Sequence, residues 1–217
     1  MSKIIKAVIP VRKGSERVKN KNVKKFGDSS LLENKIEILK KVKGLDSIVV
    51  NSDCFEMLDI AVRYGVEAQK RDDYFASSKV NNSEYFEHIG EVTNADHIMY
   101  APVTCPFVKV KTIEKCISEY QHLEQNDSVM TAFDVKHHMW LDGKPINYDP
   151  KNAPNSQDLP EILGVHYGVS IISKELMIEN RNVVGYNPLF IKLNEMEAID
   201  IDTEMEFMFA DYMFWKK

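Results

Sequence analysis

The stretch that decides the fold is residues 4–25, IIKAVIPVRKGSERVKNKNVKK. Its first part, Ile4–Ile9, is a short β-rich run that ends at Pro10, which is typical of a buried first strand. Its second part, residues 11–25, holds seven basic residues and one acid, Glu16. A strand that leads directly into a cationic loop predicts a ligand site at the carboxyl edge of an open α/β sheet, where ligands collect.

Strand and helix patterns alternate after this stretch. Thr203 and Glu206 match the Thr-x-x-Glu of a capping box, which predicts a last helix from Thr203 to about Trp215. The other predicted helices are at 31–42, 55–64, 83–93 and 112–123, and Gly65 is the predicted C-terminal cap of the second of these. The other predicted strands are at 47–51, 66–69, 97–101, 128–133, 169–172, 190–193 and 198–201. The alternation predicts an α/β sandwich around a mostly parallel sheet, formed by a single domain over residues 1–217.

Residues 134–165 break the alternation. They hold four of the eight prolines and have no clear period. Two interpretations stay open: a surface excursion with one or two short strands, and a lid or dimerisation arm, because long irregular insertions in compact domains are often functional.

The chain has 217 residues and a formal net charge of −5, and this charge is unevenly divided. Residues 1–50 hold 13 basic and 5 acidic side chains, whereas residues 51–217 hold 15 and 28. The net charge argues against a protein that coats nucleic acid, while the cationic end predicts a local site for a small polyanion.

The cysteines and the apolar runs predict a cytoplasmic protein. The three cysteines, Cys54, Cys105 and Cys116, cannot all pair with one another, and their spacings match no zinc site. The first apolar run is shorter than a signal core, and no window approaches the length of a membrane span. We therefore expect reduced thiols and no membrane partner.

The cationic loop over residues 11–25 has the chemistry of a polyphosphate site. Its arginines offer planar bidentate forks for phosphate oxygens, and Gly14 lets backbone N–H groups approach an anion closely. A solvated basic loop is the alternative interpretation. Neither Gly-x-x-x-x-Gly-Lys-Ser/Thr nor Gly-x-Gly-x-x-Gly occurs in the chain, which disfavours a P-loop NTPase and a dinucleotide-binding dehydrogenase.

A second group of charges lies in the segment Ile199-Asp-Ile-Asp-Thr203. If this segment is a strand, Asp200 and Asp202 point to one face and form a pair of hard oxygen ligands suited to Mg²⁺. The alternative is that Asp202 only favours the start of the following helix. Together with the cationic loop, the pair predicts nucleotidyl transfer, in which metal and basic groups spread the charge of the departing pyrophosphate.

Several short motifs stand in a fixed order along nearly the whole chain: Ile9-Pro-Val-Arg12, Gly14-Ser15, Arg17, Lys21-Asn22, Ser52-Asp53, Arg71-Asp-Asp-Tyr-Phe-Ala-Ser77, Pro102-Val-Thr-Cys-Pro106 and Ile199-Asp-Ile-Asp-Thr-Glu204. Each motif alone is weak, but the ordered set is specific. It resembles the cytidylyltransferases that activate acidic sugars, the CMP-sialic acid (acylneuraminate) synthetases and their CMP-Kdo relatives.

The resemblance implies a Rossmann-like three-layer sandwich that binds CTP over the first loop and uses Mg²⁺. An acceptor oxygen would attack the α-phosphate to give a CMP conjugate and pyrophosphate, with Arg12, Lys21 and Asp202 acting in catalysis. The insertion at 134–165 falls where family members carry a dimerisation arm, so a homodimer is expected. The implied binding residues are Arg12, Gly14, Ser15, Arg17, Lys21, Asn22, Arg71 and Ser77 for the nucleotide, Thr104 and Gln157 for the acceptor, and Asp200 and Asp202 for the metal.

The sequence departs from the family pattern mainly in the acceptor half. Glu16 stands where family members often carry Lys. Ala101 replaces a Gln, Val108 replaces an Arg, and an Arg-Pro-Asn-Gly run reads Gly164-Val-His-Tyr-Gly168. We therefore expect an anionic acceptor other than ordinary N-acetylneuraminate, such as a related nonulosonate.

Two other classes of protein fit the sequence less well. A metal-dependent Asp-x-Asp glycosyltransferase carries its acid pair in mid-chain and has no cationic turn after the first strand. A nucleic-acid-binding module that uses residues 12–25 needs aromatic residues among the charges and a basic overall field. This chain carries its acid pair near the C-terminal end and its cationic turn after the first strand, unlike such a glycosyltransferase. Residues 12–25 contain no aromatic residue and the whole chain is acidic, so we expect no nucleic-acid partner.

Overall fold

The structure, a computed structural model, describes residues 4–14 and 17–216. Its strands are β1 (Ile5–Pro10), β2 (Lys25–Phe26), β3 (Ser29–Ser30), β4 (Ser47–Ser52), β5 (Glu67–Lys70), β6 (His97–Tyr100), β7 (Ser128–Asp134), β8 (Trp140–Leu141), β9 (Lys144–Pro145), β10 (Leu163–Ser173) and β11 (Pro188–Lys192). Its α-helices are α1 (Leu31–Leu39), α2 (Phe55–Arg63), α3 (Asp73–Ala76), α4 (Asn82–Val92), α5 (Val110–Gln121), α6 (Lys174–Asn180) and α7 (Glu204–Phe214).

Seven of these strands form the central sheet, in the order β11-β7-β10-β6-β1-β4-β5. Strand β1 is parallel to both its neighbours and places Val8 beside Val49 of β4 and Ala7 beside Met99 of β6. Strand β10 is antiparallel to β6 and β7. The prediction of a mostly parallel sheet is therefore confirmed.

Alternate side chains of β1 enter different helical layers, because successive residues of a strand point to opposite faces. Ala7 and Ile9 pack into the larger core cluster, which includes apolar residues of α1, α2, α5 and α7. Val8 packs on the other face with Phe86 of α4 and Met177 of α6. The sheet thus lies between two layers of helices, as the resemblance implies.

Two predictions that rest on local chemistry are confirmed. Gly65 has a φ of +69° directly after α2, a left-handed conformation that favours glycine at the end of a helix. Thr203 and Glu206 form the capping box of α7, in which the Thr203 side chain accepts from the Glu206 N–H and the Glu206 carboxylate accepts from the Thr203 N–H.

The predicted strand at 198–201 is wrong. Asn194 closes a turn after β11, where its carbonyl oxygen accepts from the Ala198 N–H at 2.9 Å. The chain then runs to α7 without a ladder partner among the described strands, and the Ile201 N–H donates to the Thr104 carbonyl at 2.9 Å. The alternation of Ile and Asp therefore reflects burial on one side, since Ile201 is fully buried.

Other boundaries differ because they depend on distant contacts. Strand β10 runs well beyond the predicted 169–172, with a shift of register between Val165 and Ser170 against β7. Helices α3 and α6 and the β2–β3 hairpin have no counterpart in the prediction. The 134–165 insertion contains the short hairpin of β8 and β9 and two 3₁₀ turns, Pro150–Asn152 and Ser156–Asp158.

Within residues 4–14 and 17–216, every helix is too short or too polar to cross a lipid bilayer.

The downstream end of the cationic loop is anchored in an aromatic cluster. Phe26 is fully buried, and its ring lies 5.4 Å from that of Phe214, 5.9 Å from Phe207 and 6.2 Å from Phe107, measured between centroids. Burial of an aromatic side chain contributes strongly to folding. Phe26 therefore fixes the end of the loop to helix α7.

We predict that Phe26→Ala lowers the free energy of unfolding by about 3–5 kcal/mol, because it removes a buried ring and leaves a cavity. Phe55→Ala, at a ring that is 81% exposed, should change it by less than about 0.5 kcal/mol. Urea denaturation followed by circular dichroism measures both values. Equal effects of the two substitutions would contradict the anchoring role of Phe26.

Candidate active site

The carboxyl ends of three parallel strands, β1, β5 and β6, border one cleft. The cleft has a volume of about 530 Å³. It lies where ligands bind in open α/β sheets. The residues that line it are Pro10, Val11, Arg12, Arg17, Val18, Lys21, Asn22, Arg71, Phe75, Ser77, Ser78, Val80, Asn82, Tyr85, Tyr100, Pro102, Val103 and Thr104.

The cationic loop is shaped by its own side chains. The Asn22 side-chain amide donates to the Arg12 carbonyl at 3.0 Å. The Lys21 N–H donates to the carbonyl of the buried residue Val18 at 3.1 Å. Arg12 in turn donates from Nη1 to the Ala76 carbonyl at 2.7 Å. These bonds hold Arg12, Lys21 and Asn22 at the cleft wall, as the prediction of a nucleotide site requires.

A cluster of opposite charges lies where the loop meets the segment before α7. Nη2 of Arg17 is 2.8 Å from Oδ1 of Asp202, and Nζ of Lys21 is 3.9 Å from the same oxygen. Lys21 also donates to the Ile201 carbonyl at 2.5 Å. Burial lowers the pKa of Lys21, and the carboxylates of Asp202 and Asp200 oppose this shift.

The donor chemistry of this cluster fits Mg²⁺ that arrives with a nucleotide. Asp200 and Asp202 supply carboxylate oxygens beside the cationic loop, and Mg²⁺ commonly combines one or two carboxylates with phosphate oxygens and water. In the described part of the chain, no three His, Cys, Asp or Glu side chains lie close enough to hold a metal by themselves. These residues therefore suit a metal whose other ligands are phosphate oxygens and water.

Arg71 is held rigidly at the inner wall of the cleft. It is buried and donates from Nε to Oδ1 of Asn51 and from Nη2 to the Asn51 carbonyl, both at 2.7 Å. Its guanidinium carbon lies 4.4 Å from the ring centroid of Tyr85, a cation–π contact. With these partners, Arg71 forms a fixed part of the cleft wall.

The remaining predicted residues divide between the cleft and its surroundings. Ser77 and Thr104 line the cleft. Gly14, with a φ of +79°, is exposed at the tip of the loop, and Gln157 is exposed in the insertion; neither lines the cleft. Ser15 lies outside the described residues.

The family model of the cytidylyltransferases matches residues 6–142, which is more than half of the chain. The chain belongs to the cytidylyltransferase family. It is a nucleotidyltransferase, and this result decides against the glycosyltransferase and the nucleic-acid-binding module.

Curated relatives of this cytidylyltransferase include three bacterial proteins. It is 26% identical to the post-translational flagellin modification protein B of Campylobacter coli, over 100% of this chain and 97% of that protein. It is 27% identical to a pseudaminic acid cytidylyltransferase of Campylobacter jejuni, over 95% and 94%. It is 23% identical to the N-acylneuraminate cytidylyltransferase of Escherichia coli, over 96% of this chain and 51% of that protein, so it spans about half the length of that relative.

A solved structure shows the same fold. The structure of CMP:2-keto-3-deoxy-manno-octonic acid synthetase complexed with CTP has a TM-score of 0.75 and 12% identity, and the match covers 98% of this cytidylyltransferase and 99% of that chain. The Rossmann-like fold class is thereby confirmed.

Several residues of the cleft were not predicted from the sequence. Tyr100 is the last residue of β6, and its position could have been predicted, because ligands bind at the carboxyl ends of such strands. Tyr85 and Phe75 come from helices α4 and α3, and their place in the cleft depends on how those helices pack. Phe75 stacks on His88 with 3.7 Å between ring centroids.

Lys35 is a buried cation behind the cleft. It is fully buried on α1, where it follows Leu31 by one helical turn, and Nζ donates to the Cys105 carbonyl at 2.9 Å. Burial lowers its pKa, while Cys105 and Asp200 act in the opposite direction. The sequence indicates this residue because Lys35 lies on the apolar stripe of α1. A charged side chain at such a position is rarely buried unless it has a partner.

The thiol of Cys105 lies between Lys35 and the acidic segment, with Sγ 3.7 Å from Oδ1 of Asp200. Burial raises its pKa to about 12, so the thiol stays protonated at neutral pH. This agrees with the interpretation that Cys105 takes the place of a serine in the turn without thiol chemistry.

We predict that a disulfide reagent at about pH 8 modifies Cys54 first, because Cys54 is the most accessible of the three thiols. Cys105 and Cys116 are buried, and burial raises the pKa of each to about 12, so they should react only when the protein unfolds. Peptide mass spectrometry after timed labelling identifies the modified residues. Labelling of Cys105 in the native protein as fast as that of Cys54 would contradict this expectation.

Proposed function

We propose that this enzyme is a Mg²⁺-dependent cytidylyltransferase that transfers CMP from CTP to an acidic sugar of the nonulosonate or Kdo type and releases pyrophosphate. The observation that carries the proposal is the contact of the cationic loop with the acidic segment at the cleft, where Arg17 and Lys21 meet Asp202.

The basic residues are proposed to bind the triphosphate. Arg12, Arg17 and Lys21 line the cleft from the loop after β1, and their positive charges suit a polyphosphate. Arg71 and Ser77 line the part of the cleft near α3, where the resemblance expects the nucleoside. Gly14 and Ser15 are proposed to contribute backbone or hydroxyl groups to the phosphates.

The reaction forms one bond at the α-phosphorus of CTP and breaks another. A hydroxyl oxygen of the acceptor bonds to this phosphorus and releases its proton to water, while the bond between the α-phosphorus and the oxygen that bridges to the β-phosphate breaks and pyrophosphate leaves. Arg12 and Lys21 are proposed to stabilise the negative charge that develops on the leaving group. When bound, Mg²⁺ would neutralise phosphate charge, and Asp200 and Asp202 would hold it.

The charged cluster is proposed to exchange partners on substrate binding. In the structure, Arg17 pairs with Asp202, and the two side chains are 68% and 48% exposed. Such exposed pairs contribute little net stability, so a stronger partner for each group easily replaces them. We propose that Arg17 turns to the phosphates and that Asp202 turns to the metal.

The names of the relatives support a nonulosonate as the acceptor. One relative is named for pseudaminic acid and another for N-acylneuraminate. Thr104 lines the cleft and is proposed to contact the acceptor, whereas Gln157 lies in the exposed insertion and would need a different arrangement of residues 134–165 to do so. The homodimer formed through this arm stays a prediction.

Pyrophosphate release is the test of this function. We predict turnover with CTP, Mg²⁺ and a nonulosonate such as pseudaminic or legionaminic acid, and little turnover with ATP, GTP or UTP or after chelation of the metal. N-acetylneuraminate and Kdo complete the panel of acceptors. Turnover of N-acetylneuraminate at a rate equal to that of the best acceptor would contradict the expected acceptor, and failure of CTP with every sugar would contradict the proposed function.

A further inference from the structure

Helix α7 carries large apolar side chains on its outer face as well as its inner face. Phe207 and Ala210 are buried against the core. Five outer residues, which we call the α7 stripe, follow one another at the spacing of a helix face and are more than half exposed: Met205 (78%), Met208 (66%), Phe209 (52%), Tyr212 (59%) and Trp215 (62%). This arrangement differs from an ordinary surface helix, which is polar on its outer face.

The area of the α7 stripe is large for a free surface. An aromatic side chain presents about 150–250 Å², so the exposed fractions of Phe209, Tyr212 and Trp215 leave roughly 350 Å² of aromatic surface. The two methionines bring the patch to at least about 500 Å², near the upper end of what monomeric proteins expose. Two such patches in contact bury about 1,000 Å², which is the lower limit for a biological interface.

The order of side chains along α7 suits an antiparallel contact with a second copy. Residues 205 and 215, and residues 208 and 212, lie at equal distances from residue 210. A two-fold axis there places Met205 near the partner's Trp215 and Met208 near the partner's Tyr212, which are favourable sulfur–aromatic pairs. Glu204 pairs with Lys24 of its own chain and Lys216 lies over the ring of Tyr212, so the apolar and sulfur–aromatic pairs, rather than charge pairs, carry the contact.

We infer that the α7 stripe is a self-association surface, on which two copies of the chain pack their α7 helices antiparallel around a two-fold axis near residue 210. An interface of this kind is isologous, with the same patch on both subunits. Glu206 and Asp211 leave helix α7 acidic, which disfavours an anionic lipid surface or a nucleic acid, whereas a second copy offers the same apolar stripe.

The α7 contact is separate from the arm predicted at residues 134–165 and does not depend on the proposed reaction. The arm exposes its own apolar residues, Trp140 and Leu141, on β8. Substitutions in α7 and in β8 therefore test the two surfaces independently.

Sedimentation of the full chain tests the inference. We expect the wild type to associate, and Phe209→Glu to halve the mass of the assembly or to raise the Kd of self-association by at least about 100-fold, because it places a charge at the centre of the contact. The matched control is Val62→Glu, at an apolar residue on α2 that is 66% exposed, and it should keep the mass of the wild type. Circular dichroism verifies that both variants fold.

A monomeric wild type, an unchanged mass for Phe209→Glu, or equal losses in both variants would overturn the inference. The same holds if Trp140→Glu alone lowers the mass, since the arm would then account for the whole assembly.

Disulfide trapping tests the direction of the helices. In a Cys54→Ser background, oxidation of mixed Met205→Cys and Trp215→Cys proteins should give a covalent heterodimer, because these positions lie together only in the antiparallel arrangement. Met205→Cys alone and the control Val62→Cys should stay uncrosslinked. A covalent dimer of Met205→Cys alone, or equal crosslinking of Val62→Cys, would contradict the antiparallel contact.

Discussion

The contact of Lys21 with the segment Ile201–Asp202 joins parts of the chain that are 180 residues apart, and the whole candidate site depends on it. The lysine is desolvated, and it is stabilised by the Ile201 carbonyl and by the carboxylates of Asp200 and Asp202. Because Lys21 is buried, loss of the Ile201 carbonyl would leave its ammonium without this hydrogen-bond acceptor, which is costly. This hydrogen bond therefore joins the cationic loop to the acidic segment at the candidate site.

The apolar core brings these two segments together. Upstream, the loop begins at the end of β1, an inner strand between β6 and β4. Downstream, Phe26 inserts between Phe207 and Phe214 of α7, and the Gly27 N–H donates to Asp211 at 2.6 Å. Because α7 starts directly after Asp202, packing of this helix sets the position of the carboxylate. The outer face of the same helix bears the α7 stripe, so the proposed contact between subunits lies on the element that positions the acidic segment.

Much of the fold follows from local patterns, whereas the finer arrangement of the site depends on distant contacts. The first strand, the end of α2 at Gly65 and the capping box at Thr203 need only neighbouring residues, and all three were predictable. The strand expected at 198–201 was wrong because an alternating pattern records burial on one side but does not supply a ladder partner. The stacking of Tyr85 on Arg71 arises from the packing of α4 against the sheet, which no spacing along the chain reveals. The position of Lys35 on the apolar stripe of α1 indicates its burial, but its partner, the Cys105 carbonyl, comes from a distant turn.

The central proposal is that substrate binding separates Arg17 from Asp202, so that one binds phosphate and the other binds Mg²⁺. Calorimetric titration with CTP, in the presence and absence of Mg²⁺, tests this exchange in the wild type, Asp202→Asn and the neighbouring control Glu204→Gln. Mg²⁺ should strengthen CTP binding in the wild type and in Glu204→Gln. Asp202→Asn should bind metal-free CTP at least as tightly as the wild type, because Arg17 is released, and should gain little from Mg²⁺. An equal gain from Mg²⁺ in all three proteins would contradict the proposed exchange.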